Sequence, residues 1–268
     1  MTALAILRAD IGIVIASDGA SYDDDGRLRM VKQKVDLHPH ISCAIASRGS
    51  ALAPWFVSDD LFWRGQSPTF DDLVTAMPDL ARGARQFVAE RGSPTTQNFS
   101  LYLCGWSDAR ERFETYAVRS RDTEQAPACT LIPLPAVYLA PEPYHDVAAA
   151  FGMQLPPPDL RAAGWEDLAE YGTRSICAAR FCEGSATGEN PHCCVGGFVQ
   201  VTSLARELVL SRIVHRWPDP IGELLDARRG DPSPWHPWPE SEARPEGFAG
   251  SCGTKGREAQ EPACTSTP

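Results

Sequence analysis

Along the first 50 residues the apolar positions come in short, dense runs rather than at helical spacing. TALAIL (2–7) and GIVIAS (12–17) are apolar and rich in β-prone residues, with Arg8-Ala9-Asp10 between them. This pattern predicts two strands joined by a turn. Asp18-Gly19 ends the second strand, and the acidic, glycine-containing YDDDG (22–26) predicts a loop. In MVKQKVDLH (30–38), Val31, Gln33, Val35 and Leu37 alternate with Lys32, Lys34 and Asp36, which predicts one period-two strand. His38-Pro39-His40 turns the chain into ISCAIAS (41–47), a buried strand, and Arg48-Gly49-Ser50 is a tight connection.

The period then changes. Residues 50–63 predict a helix with Pro54 near its start, where proline is tolerated. After Ser67-Pro68, the positions Phe70, Leu73, Val74, Met77, Leu80, Ala81, Ala84, Phe87 and Val88 follow helical spacing up to Arg91-Gly92. Strands return at 99–106, 112–120 and 136–140. A short helix at 143–152 and a longer one at 164–182 precede two closing strands, 197–204 and 207–217. Paired blocks of strands and helices predict an α+β fold with helices outside two stacked sheets, not a singly alternating parallel sheet. From about Asp219 to Pro268 the chain is rich in Pro, Gly, Glu and Ser without periodicity. The expected division is therefore a folded domain over 1–217 and a disordered tail over 218–268, with one helical turn at 221–228. Trp217, Trp235 and Trp238 are candidates to pin part of that tail.

Composition adds exclusions. A 268-residue chain with 43% hydrophobic and 22% charged residues can bury a full core. Its formal charge of -10 repels phosphate, so nucleic acid is not an expected partner. No apolar run is long enough to span a bilayer, and Arg8 and Asp10 break the N-terminal apolar segment, so neither a membrane span nor a signal peptide is read and the expected location is cytoplasmic. The nine cysteines lack framework spacing and are expected to be free thiols.

The candidate chemistry lies at the start. Threonine is small enough to permit removal of Met1, and a free Thr2 would hold a hydroxyl nucleophile and an α-amine base on one residue. An α-amine with a reference pKa of about 7.7–8.0 is substantially neutral near pH 7. Asp18 at a strand end and Lys34 on the next strand would supply charges around it.

These residues carry a resemblance. A leading threonine, an apolar hairpin ending in Ala16-Ser17-Asp18-Gly19, and Lys34-Val35 on the third strand resemble proteasome β-subunits and the peptidase of the bacterial two-component ATP-dependent protease (HslV-type). Asp18 lies 16 residues after Thr2 and Lys34 lies 32 after it, as in that pattern. The small-residue turn at 47–51 falls where the family places an oxyanion glycine, with Gly49 the best match to within two residues. The resemblance implies the four-layer αββα sandwich of N-terminal nucleophile (Ntn) hydrolases. It also implies a threonine-type peptidase or amidohydrolase without cofactor, acting on peptide or protein and assembled as a homo-oligomeric ring, with an ATPase unfoldase as partner. Thr2 would attack the carbonyl, Lys34 would stabilise the alkoxide, Asp18 would hold the ammonium, and the Gly49 N–H would face the oxyanion.

The same residues admit a plainer reading. Thr2 is also a β-branched strand residue beneath a retained Met1, Asp18 and Lys34 a supporting ion pair, and Gly49 a turn glycine. Leu139 to Pro143 stands where the family has a Gly-Ser-Gly segment with a supporting serine, and no equivalent of a later Asp is found in 183–197. Two alternatives therefore stay open: a catalytically inactive protein of this fold acting in assembly or binding, and a small-amide acylase. Elsewhere, Cys177, Cys182, His192, Cys193 and Cys194 are too irregularly spaced for zinc and read as buried thiols with a loop histidine. His38 and His40 read as a solvated turn, His215 as structural, and Asp23-Asp24-Asp25 as a turn lacking further calcium ligands. No metal site is expected.

Overall fold

The computed structural model describes residues 2–23, 25–63, 69–92, 98–184 and 192–230. The chain opens with strands β1 (Leu4–Ala9), β2 (Gly12–Asp18), β3 (Ala20–Tyr22), β4 (Leu28–Val31), β5 (Val35–His38) and β6 (Cys43–Gly49). Helices α1 (Leu52–Trp63) and α2 (Phe70–Arg91) follow, then β7 (Phe99–Ser107), β8 (Arg112–Arg119), β9 (Leu131–Pro133) and β10 (Val137–Ala140). Helices α3 (His145–Ala150) and α4 (Trp165–Ala179), the short β11 (Glu183–Gly184) and β12 (His192–Cys193), and the pair β13 (Phe198–Leu204) and β14 (Val209–Arg216) complete the order.

The fold is mixed α+β with antiparallel sheets. One five-stranded sheet runs β10-β1-β2-β13-β14 and a second runs β5-β6-β7-β8-β9. The β1–β2 hairpin pairs Leu4 with Ser17 and Ala9 with Gly12, which fixes alternation on both strands. Leu4, Ile6, Ile13 and Ile15 pack against Ala44, Ala46, Tyr102 and Cys104 of the other sheet. The opposite faces of β1 and β2 carry Ala3, Ala5, Leu7, Val14 and Ala16, and these meet Leu168, Ala169, Ile176 and Cys177 of α4. On the second sheet, Cys43, Ile45, Leu101 and Leu103 pack beneath Met77, Leu80, Ala81 and Ala84 of α2. Strands covered on both faces need no polar alternation, which is why TALAIL and GIVIAS read as continuous apolar runs.

Several expectations are corrected. The strand expected over 30–38 is two strands, β4 and β5, separated by residues 32–34. There the Lys32 N–H donates to the Gly19 carbonyl, and the Lys34 carbonyl accepts from Ser47 N–H. Lys34 is buried rather than facing out with Lys32, because an internal carboxylate claims its ammonium. Of the expected loop at 22–26, Tyr22 belongs to β3, Asp23, Asp25 and Gly26 lie between β3 and β4, and Asp24 lies outside the described residues. The Asp23 Oδ1 accepts the N–H groups of Asp25 and Arg27, the local bonding that favours aspartate in turns. The three-residue β9, which includes Pro133, was too short for the pattern to signal. No helix forms at 221–228. Instead the Leu28 N–H donates to Glu223 O and the Gly222 N–H to Leu28 O, while Leu225 is buried with Ala20 and Leu28. Met1, Trp235, Trp238, Cys252 and Cys264 lie outside the described residues.

Candidate functional site

Asp18 ends β2 with no solvent exposure. Its Oδ1 accepts the Lys34 ammonium at 2.7 Å and the Ala3 N–H at 3.0 Å. Its Oδ2 accepts the N–H groups of Ala20 at 3.1 Å and Gly196 at 3.3 Å. A buried carboxylate held by one ammonium and three amides is fully partnered, which is what makes its burial tolerable. The Asp18 N–H in turn donates to the Ala3 carbonyl, so the β1–β2 ladder continues to Ala3.

Thr2 precedes Ala3 and is 6% exposed; Lys34 is 8% exposed. Continued one step past Ala3, the alternation that places Leu4 and Ile6 between the sheets would turn the Thr2 side chain toward the same space. Val35 and Ala46, paired neighbours beside Lys34, line that space too. The structure thus joins Asp18 to Lys34 and to the amide of the residue that follows Thr2. Burial pushes the Lys34 amine below its usual pKa; Asp18 opposes this, while Lys32 and Arg48 add to it. Lys32 is also lowered by burial.

Gly49 closes β6 opposite Phe99. Its φ of +88° lies in the left-handed region, and an added Cβ would collide with the Asn98 carbonyl oxygen. Backbone geometry alone therefore requires glycine there. The segment Leu139 to Pro143 runs beside the start of β1, with Ala140 opposite Leu4, and offers no hydroxyl near it.

Residues that the sequence did not announce complete the surroundings. The Ser17 hydroxyl, opposite Leu4, is buried and has no hydrogen-bond partner among the described residues. Tyr102 and Tyr138 hydroxyls lie 3.1 Å apart between the sheets, and burial beside Tyr138 pushes Tyr102 up to about 12. On the far side of Asp18, Gly196 belongs to a loop clamped by a buried ion pair. The Arg180 Nη2 donates to Asp219 Oδ1 at 2.7 Å, and the Gly197 N–H donates to Asp219 Oδ2 at 2.8 Å. Arg180 also donates to the Val195 and Asp226 carbonyls and lies over the Trp217 ring. The start of the expected tail is thus tied to the loop that holds Asp18. A sequence signal for this was limited to the glycine pair: an added Cβ on Gly196 would collide with Asp219, and one on Gly197, at a φ of +75°, with Val31.

The cysteine and histidine cluster does not converge: among the described residues no group of three or more His, Cys, Asp or Glu side chains is placed to hold a metal. Cys193 donates to the Arg180 and Val195 carbonyls, and burial raises its thiol to about 11. No helix among the described residues is long and apolar enough to cross a membrane.

No family model matches the chain, and no curated protein sequence does. Solved structures do. A Gly-1 mutant of Anbu from Hyphomicrobium sp. strain MC1 superposes with a TM-score of 0.55 at 14% identity, covering 80% of this chain and 87% of that one. Anbu (ancestral beta-subunit) from Yersinia bercovieri gives 0.53 at 15% identity, covering 79% and 86%. A second Anbu structure from the same Hyphomicrobium strain gives 0.54 at 13% identity, covering 80% and 88%. The chain therefore has a proteasome-like β-subunit fold. The narrower resemblance to proteasome β-subunits proper or to the HslV-type peptidase is corrected. With no family model matching, the structural likeness is to Anbu proteins, and at this identity it reaches the fold alone.

Proposed function

We propose that the protein is a threonine-nucleophile amide or peptide hydrolase built on a four-layer αββα sandwich over residues 2–217, with the chain from 218 as an appendage. The observation that carries this reading is the Asp18 carboxylate, whose Oδ1 binds both the Lys34 ammonium and the N–H of the residue after Thr2. With Met1 removed, the Thr2 α-amine takes the hydroxyl proton and the oxygen attacks an amide carbonyl. The buried Lys34 ammonium stabilises the developing alkoxide, and Asp18 fixes that ammonium. In a water-poor site such fixed charges act strongly. The Gly49 turn supplies the oxyanion N–H, worth roughly 2.7–4 kcal/mol where such donors have been removed. The amine then returns its proton to the leaving nitrogen, and water hydrolyses the ester.

The proteasome-like fold supports assembly into a homo-oligomeric ring with peptide or unfolded protein as substrate and an unfoldase delivering it, within the cytoplasm. The test is intact mass followed by turnover of a fluorogenic peptide amide. The expected result is loss of Met1 and turnover that Thr2→Ala reduces at least about 1,000-fold. Turnover unchanged in Thr2→Ala contradicts the proposal. A second reading, an inactive protein of this fold serving assembly, is favoured by the missing hydroxyl at 139–143; a retained Met1 with no turnover decides for it.

A further inference from the structure

At the end of the two sheets opposite Thr2, the inter-sheet core stops short. A cavity of about 540 Å³ opens there, within the range of small-ligand sites. β1 spans the distance: Arg8 lies six residues beyond Thr2, roughly 20 Å at strand rise. The cavity draws its walls from both sheets. Its apolar floor is Phe113 and Leu134, both buried, with Trp106 beside them. The Trp106 and Phe113 rings pack edge to face at 4.9 Å, and Trp106 Nε1 donates to Asp108, so the aromatic wall is held in place.

Arg8 is the unusual member. Alternation after Leu4 and Ile6 turns its side chain toward the inter-sheet space, where it exerts a field on the buried Cys104 thiol. It is half-buried, and among the described residues its guanidinium makes no hydrogen bond or ion pair. The two other arginines at the cavity already have counter-charges. Arg112 donates to Glu114 at 2.8 Å, and Arg161 pairs with Asp159 at 2.7 Å. A half-buried guanidinium that opens onto an aromatic cavity with water as its partner can exchange that water for a carboxylate in the two-point geometry guanidinium favours. Asp10 and Glu111 at the exposed rim disfavour a multiply charged anion.

We infer that this cavity is a binding site for a singly charged carboxylate with a flat aromatic or apolar body. The carboxylate pairs with Arg8 in the fork geometry that guanidinium favours, and the body lies against Trp106, Phe113 and Leu134. The inference is independent of any chemistry at Thr2.

The test titrates 2-naphthoate into the full chain, following the Trp106 indole N–H by NMR with Trp106→Phe to assign it. Saturable one-to-one binding with a dissociation constant below about 1 mM is expected. Arg8→Gln weakens it at least about tenfold while leaving the thermal midpoint unchanged, and neutral 2-naphthalenemethanol binds at least as weakly as that. Ala136→Phe, which fills the cavity without touching the Arg8 charge, abolishes the shift. The inference is overturned by no saturable change up to about 10 mM, by equal affinity for the neutral analogue, or by binding that survives both variants.

Discussion

At the scale of single residues, the account turns on two buried ion pairs. Lys34 and Asp18 are both nearly inaccessible, as are Arg180 and Asp219. Removing one member of such a pair leaves an unpaired interior charge, which costs about 3–5 kcal/mol. Asp219→Ala should therefore lower stability by that order in urea denaturation, because Asp219 is the one carboxylate bonded to Arg180 among the described residues. Asp18→Asn should do the same and depress the Lys34 pKa further. Lys34 also sets a pH dependence. Its folded pKa lies below the unfolded value of about 10.4, so between the two the unfolded chain holds more protons. Its contribution to stability consequently rises with pH through that window, and Lys34→Met should remove the rise. Asp18 and Lys34 were singled out in the sequence by their spacing in the family resemblance, with a supporting ion pair as the plainer reading, and the structure pairs them. Asp219 was not legible. It lies 39 residues from Arg180 in a stretch whose Pro-rich composition reads as tail, and only the folded chain brings the two together.

At the scale of elements, the long periodic segments were legible and the short ones were not. α2 shows why. Nine apolar positions at helical spacing and a Thr69–Asp72 capping box both specify it. The Thr69 hydroxyl accepts the Asp72 N–H, and the Asp72 carboxylate accepts the Thr69 N–H. Thr69→Ala should cost about 1 kcal/mol in thermal or chemical denaturation. The 30–38 segment failed because alternation records which faces could be buried, not where an internal charge must be met. Lys34 leaves the ladder to reach Asp18, and the strand breaks around it. Gly49 belongs to this scale as well. Gly49→Ala should destabilise by about 1–3 kcal/mol, from left-handed strain and the Asn98 carbonyl. Any added loss of turnover per folded molecule in that variant measures its part in the oxyanion site.

At the scale of the whole molecule, two apolar strands on each flank of a doubled sheet bury many weak acids. Burial holds Tyr102 and Cys177 at about 12 and Cys193 at about 11, and raises Cys43 and Cys104 strongly. Unfolded, tyrosine titrates near about 10 and cysteine near about 8.5. Between those values and the folded ones, the folded chain holds more protons than the unfolded chain, so stability falls as pH rises. Five such groups outnumber the two lysines, Lys34 and Lys32, whose lowered values act in the opposite sense. The thermal midpoint should therefore fall steadily from about pH 8.5 upward, and Tyr102→Phe should blunt the fall above about pH 10. The paired blocks of strands and helices made this layered class legible, whereas the attachment of residues 219–230 beside the site was not.

The central claim is that Thr2, freed of Met1, is the attacking residue beside the Lys34–Asp18 pair. Peptide mapping by mass spectrometry after treatment with a peptide β-lactone measures this directly, because that electrophile acylates only an activated nucleophile. The account predicts a single adduct on an N-terminal Thr2, absent in Thr2→Ala and in Lys34→Met. An adduct on a cysteine or internal serine, or an unmodified Thr2 still carrying Met1, would contradict it.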